Sequence, residues 1–229
     1  MATPRMNQWQ NQFDQEILNV ALEDNIPPIL LKNLFLRESQ LWPGTYHDIK
    51  EVGFGQITEN GADTLLLWNK EFYNSFCPLA LDRGVCSRGY ANLGDERQAL
   101  LRGALLRSSN AACPKCDTGI DEVKANYSIH IFAETIRANC AQVGQLVSNT
   151  TQKPVRGLVS YEDLWRFTLV NYNAGSGCLG NALERTWAAK QPIDWAHVMP
   201  NMDLACQSAV EYVVDISNND TTNISSFST

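Results

Sequence analysis

Glu38 and Ser39 close an apolar segment, Ile29 to Arg37. After them come a loop with Trp42, Pro43 and Gly44 and then Gly53-Phe54-Gly55-Gln56-Ile57. A carboxyl group placed where an apolar helix runs out into a cleft is a candidate general acid, because desolvation disfavours its charged form and raises its pKa. Ser39 could orient that carboxyl or meet a substrate directly. Gln56 carries both a donor and an acceptor, suited to an acetamido or hydroxyl group. Gly53 and Gly55 would let the backbone approach closely. Further on, Asn171-Tyr172-Asn173-Ala174-Gly175 offers a phenol hydroxyl and a side-chain amide. Each residue also has a plainer role: a glutamate at a helix end is commonly solvated, and Tyr172 and Asn173 could simply pack or cap a helix.

The elements that would position these groups are helical. Trp9, Phe13, Ile17, Val20 and Ala21 recur at spacings of three and four, which predicts an amphipathic first helix ending near Asp24-Asn25. Pro27-Pro28 then opens a second, apolar helix over Ile29 to Arg37. Ala62, Leu65, Leu66, Trp68, Phe72 and Tyr73 predict a third helix to about Asn74. Helices follow over Asp95 to Arg107 and Asp121 to Val147. Ser160-Tyr161-Glu162-Asp163 has the form of a helix start ahead of Leu164, Trp165 and Phe167. That helix would deliver Tyr172 and Asn173 to a turn at Gly175-Ser176-Gly177. Two more, Asn181 to Lys190 and Asp203 to Ile216, complete an all-α reading. Strand-like alternation is confined to short pieces such as Val155 to Val159.

Taken in order, Pro27-Pro28 with its apolar helix, Glu38-Ser39, Gly53-Phe54-Gly55-Gln56-Ile57 and Asn171-Tyr172-Asn173-Ala174-Gly175 resemble the pattern of lytic transglycosylases of the soluble type. These have a lysozyme-like fold and are more distantly related to goose-type lysozyme. The resemblance covers about Ile26 to Gln56 and, more loosely, Asn126 to Ile216. It implies a catalytic domain over 26–216, preceded by an N-terminal helix over 1–25 and followed by a Ser/Thr/Asn-rich tail over 217–229. It also implies that Glu38 protonates the bond between N-acetylmuramic acid and N-acetylglucosamine in peptidoglycan, with Ser39, Gln56, Tyr172 and Asn173 binding substrate and no cofactor or metal. The muramic C6 hydroxyl would then attack C1 to give a 1,6-anhydro product.

The chain departs from the pattern in two places. An insertion of about 76–116 separates Gln56 from Tyr172 more widely than in the family. In addition, Ser208 stands four positions before Tyr212-Val213, where the related enzymes often carry an acid.

The cleavage of a glycosidic bond usually engages a second carboxylate, and no motif designates one. Asp48, Glu51 and Glu59 are near in sequence. Trp42, Trp165 and Trp195 are candidate sugar-stacking platforms, although a lone tryptophan is more often part of a core.

With 18 basic against 25 acidic residues the net charge is −7, which argues against nucleic acid as a partner. No apolar run reaches the roughly 18 residues that would suggest a membrane span. Met1-Ala2-Thr3-Pro4-Arg5 lacks the apolar core of a signal peptide, and a processed amino terminus is expected. Seven cysteines suit an oxidising compartment, and their odd number leaves at least one without an intrachain partner or implies a partner outside the chain. Four of them, Cys77, Cys86, Cys113 and Cys116, lie in the insertion. Cys113-Pro114-Lys115-Cys116 has the form of a redox or zinc half-site, but stapling disulfides are the expectation.

The expected protein is a secreted, periplasmic or envelope enzyme acting on glycan strands, alone or as part of a larger envelope protein. The rivals are a hydrolase of the goose-lysozyme kind and a catalytically silent glycan-binding module.

Overall fold

The computed structural model describes residues 4–42 and 51–218, and it is mostly helical. Pro43, Gly44, His47 and Asp48, and the tail from position 219, lie outside the described residues. The chain divides into two compact units, Met1–Arg137 and Ala138–Thr229.

The first unit opens with α1 (Pro4–Asn11), α2 (Asp14–Glu23) and α3 (Pro28–Glu38). A single helix from Trp9 to Asp24 was expected, but the chain breaks at Gln12-Phe13. The Phe13 ring is buried against Phe54, with ring centroids 5.2 Å apart, so tertiary packing overrides a periodicity that runs straight through the break. Pro28 sits in the first turn of α3, where its missing N–H is no loss, and Leu31, Leu34 and Phe35 are buried along one side.

Strands β1 (Glu51–Val52) and β2 (Ile57–Thr58) pair antiparallel, Glu51 opposite Thr58 and Val52 opposite Ile57. Thr58 caps α4 (Glu59–Trp68) by accepting from the Gly61 N–H. The expected continuous helix to Asn74 is instead α4 followed by α5 (Lys70–Phe76). Asn69 leaves the helical conformation and accepts from the Phe72 N–H at 3.0 Å, thereby starting α5. A short polar side chain that bonds its own backbone competes with helix continuation.

The insertion contains α6 (Arg83–Cys86) and α7 (Asp95–Ser109), and its four cysteines pair as Cys77–Cys86 and Cys113–Cys116. Sulfurs committed to disulfides are not thiolate ligands, which removes the zinc reading of Cys113-Pro114-Lys115-Cys116.

Helix α8 (Glu122–Thr151) begins in the first unit and continues into the second. The second unit is completed by α9 (Tyr161–Ala188), α10 (Trp195–Val198) and α11 (Gln207–Asn218). Ser160 caps α9 as its sequence predicts, accepting from the Asp163 N–H at 3.1 Å. The helical path of α9 breaks at Gly175, with φ 83° and ψ 167°, so α9 is two helical segments meeting at a kink, where the turn at Gly175-Ser176-Gly177 is expected. Cys178–Cys206 ties α9 to the turn ahead of α11, and Cys140 is the free cysteine. Burial pushes the Cys140 thiol pKa up, which keeps it protonated.

Candidate functional site

Glu38 is the last residue of α3 and is half-buried. Immediately after it, the Ser39 hydroxyl donates to the Phe54 carbonyl at 2.7 Å, joining the end of α3 to the turn between β1 and β2. That turn, Gly53 to Gln56, is held from every side. The Gln56 N–H donates to the Gly53 carbonyl at 3.2 Å, and Gln56 Nε2 donates to the same carbonyl at 2.8 Å. Gln56 itself is only 8% exposed, so one amide N–H that could have met a sugar braces the turn instead. The Phe54 N–H donates to Ser128 Oγ at 3.1 Å, anchoring the turn to α8.

Sterics demand the two glycines. A Cβ on Gly53 would lie 2.5 Å from Ser128 Oγ and 2.6 Å from the Ser109 carbonyl oxygen, and its φ of 75° is left-handed as well. A Cβ on Gly55 would lie 2.0 Å from the Phe132 ring. Phe54 points inward, fully buried against Phe13 and edge-on to Phe35, while Phe35 packs on Phe132 at 4.8 Å. The sequence therefore marks the turn, but Ser109, Ser128 and Phe132, which brace it, carry no local signal of that role.

Tyr172 and Asn173 belong to the second unit, on α9 just before the Gly175 interruption; Tyr172 is half-buried and Asn173 exposed. Their neighbour Asn171 is buried and donates through Nδ2 to Asn139 Oδ1 at 2.7 Å and to Gln142 Oε1 at 2.8 Å. Trp165 is buried in α9, and Trp195 packs near Phe167, with centroids 6.4 Å apart. Trp42, by contrast, is 55% exposed. Toward the end of the unit, Ser208 and Glu211 are exposed whereas Tyr212 and Val213 are buried.

Of the nearby carboxylates, Glu51 and Glu59 are both exposed, and Glu59 leans toward Arg102 at 3.5 Å. Arg102 also pairs with Asp63, which accepts from the Tyr90 hydroxyl. The carboxyl most displaced from its ordinary range is Asp24, pushed up to about 6 by burial and by Glu134, against the opposing pull of Arg137 at 3.1 Å. Arg137 also bonds Glu134 at 3.0 Å, and Asn69 Nδ2 donates to the same Glu134 oxygen at 2.5 Å. A perturbed acid can mark an active site. Here the partners are those of an ion-pair cluster joining the end of α2 to α8.

Among the described residues no group of three His, Cys, Asp or Glu side chains could hold a metal ion, and no helix is long and apolar enough to cross a membrane. Compared with protein-family models, with curated proteins and with solved structures, the chain matches none.

Proposed function

We propose that the chain is a lytic transglycosylase with a lysozyme-like catalytic domain, cleaving the β-1,4 bond between N-acetylmuramic acid and N-acetylglucosamine in peptidoglycan. The observation that carries this reading is the 2.7 Å bond from Ser39 to the Phe54 carbonyl. It couples the Glu38-Ser39 pair to the Gly53–Gln56 turn, the two sequence elements on which the resemblance most depends. Glu38 protonates the glycosidic oxygen, and its carboxylate then accepts the proton of the muramic C6 hydroxyl as that oxygen attacks C1. An attacker already held on the substrate avoids the entropic cost of recruiting and orienting water. Ser39 and Gln56 hold the acid and its loop in register. The three disulfides support placement in an oxidising compartment outside the cytoplasm.

Glu38→Gln tests the assignment, because the isostere keeps the shape but cannot deliver a proton. Cleavage of purified walls, followed by turbidity, should fall at least about 100-fold in a folded protein. Mass analysis of wild-type digests should show muropeptides ending in 1,6-anhydromuramic acid. Mainly reducing-end products would indicate a positioned water and the hydrolase chemistry, and wild-type activity in Glu38→Gln would overturn the role of Glu38.

A further inference from the structure

The four residues after Glu38 take an unusual course. Gln40 and Leu41 both have left-handed backbone, φ 54° and 60°, a conformation that disfavours side-chain-bearing residues by about 1–2 kcal/mol each. The reversal is closed by a 2.9 Å bond from the Trp42 N–H to the Ser39 carbonyl. Its two outcomes are opposite: Leu41 becomes fully buried, which offsets the strain, while Trp42 is turned out to 55% exposure. An indole left in water beside the end of α3 wastes apolar area that the same chain buries elsewhere, as it does at Trp165.

Trp42 is also not loose. Trp9 of α1 packs against it with ring centroids 4.9 Å apart and planes tilted by 41°. The Trp9 Nε1 is buried with no hydrogen-bond partner among the described residues, so this ring is held by packing. The result is an aromatic corner in which Trp42, packed against Trp9 and more than half exposed, follows directly after Glu38-Ser39.

We propose that Trp42, braced by Trp9, is a stacking platform for an N-acetylhexosamine ring next to the bond that is cleaved. The electron-rich face of an indole attracts the slightly positive C–H groups on the face of a pyranose ring and buries them from water. A braced indole does so with little loss of rotamer freedom. The assignment rests on the transglycosylase reading for its substrate class. It adds a residue from α1, ahead of the stretch that resembles the family, to the binding surface.

Calorimetric titration tests it in the full chain carrying Glu38→Gln, which uncouples binding from cleavage. The probes are peptide-free peptidoglycan glycan strands and N-acetylglucosamine tetramers. Adding Trp42→Ala should weaken binding about tenfold with the melting temperature nearly unchanged, while Trp42→Phe, which keeps a ring, should lose less. Trp9→Ala should weaken binding in the same direction. Unchanged affinity in Trp42→Ala, or no measurable binding of either probe by the Glu38→Gln parent, would overturn the proposal. Failure of the catalytic reading is seen separately, as absence of wall cleavage by the wild type, and leaves the titration result standing on its own.

Discussion

The turn at Gly53–Gln56 and the stretch Asn171–Gly175 carry the two motif elements that follow Glu38, and they hold their shape by different forces. The turn is set by lack of space. Gly55 faces Phe132, Gly53 faces Ser109 and Ser128, and the Phe54 ring fills the core beneath. The stretch on α9 is set by hydrogen bonds, with Asn171 shared between Asn139 and Gln142, and Gly175 has nothing within 4 Å of where a Cβ would be. Two glycines that look alike in a motif thus serve separate ends: Gly55 avoids a collision, whereas Gly175 supplies a backbone angle.

Gly55→Ala gives the sharpest break in that contrast. Its Cβ has to displace a fully buried phenyl ring that is itself packed on Phe35, so urea denaturation should show a loss of about 3 kcal/mol or more. Phe132→Leu, combined with it, should recover part of that loss if the collision is the cause. A loss below about 1 kcal/mol would show that the turn can shift, and that packing does not fix it.

Asn171→Leu probes the hydrogen-bonded side. Removing the shared donor deprives two acceptors of it, and the expected destabilisation is about 1–3 kcal/mol. Replacing Asn139 by Leu as well should cost less than the sum of the two single changes, because the pair would then be apolar together. Strict additivity in thermal melts would argue against a coupled network.

Gly175→Ala should have the smallest effect, about 1–2 kcal/mol, because φ 83° with ψ 167° is a region nearly reserved for glycine while no atom stands in the way of the methyl group. Urea denaturation alongside Gly55→Ala measures it. A loss as large as that of Gly55→Ala would erase the distinction between the two glycines.

By itself the sequence determined the helical class and most helix positions, because amphipathic period and capping are local. Ser160 starts α9 as its motif says, and α7 and α8 lie within a few residues of where the apolar spacing puts them. Seven cysteines in a chain of this size also indicated disulfides. What the spacing could not show were contacts chosen by packing between residues far apart. Phe13 breaks a helix because Phe54 is there to receive it, and Ser128 anchors a turn 74 residues earlier in the chain. Cys178 meets Cys206 only because α9 and the turn before α11 come together, and Gln56, buried by the packing around it, turns its amide onto its own loop. Local propensity acts over a turn or two of chain, whereas these choices depend on which surfaces exclude water together, and only the folded arrangement decides that.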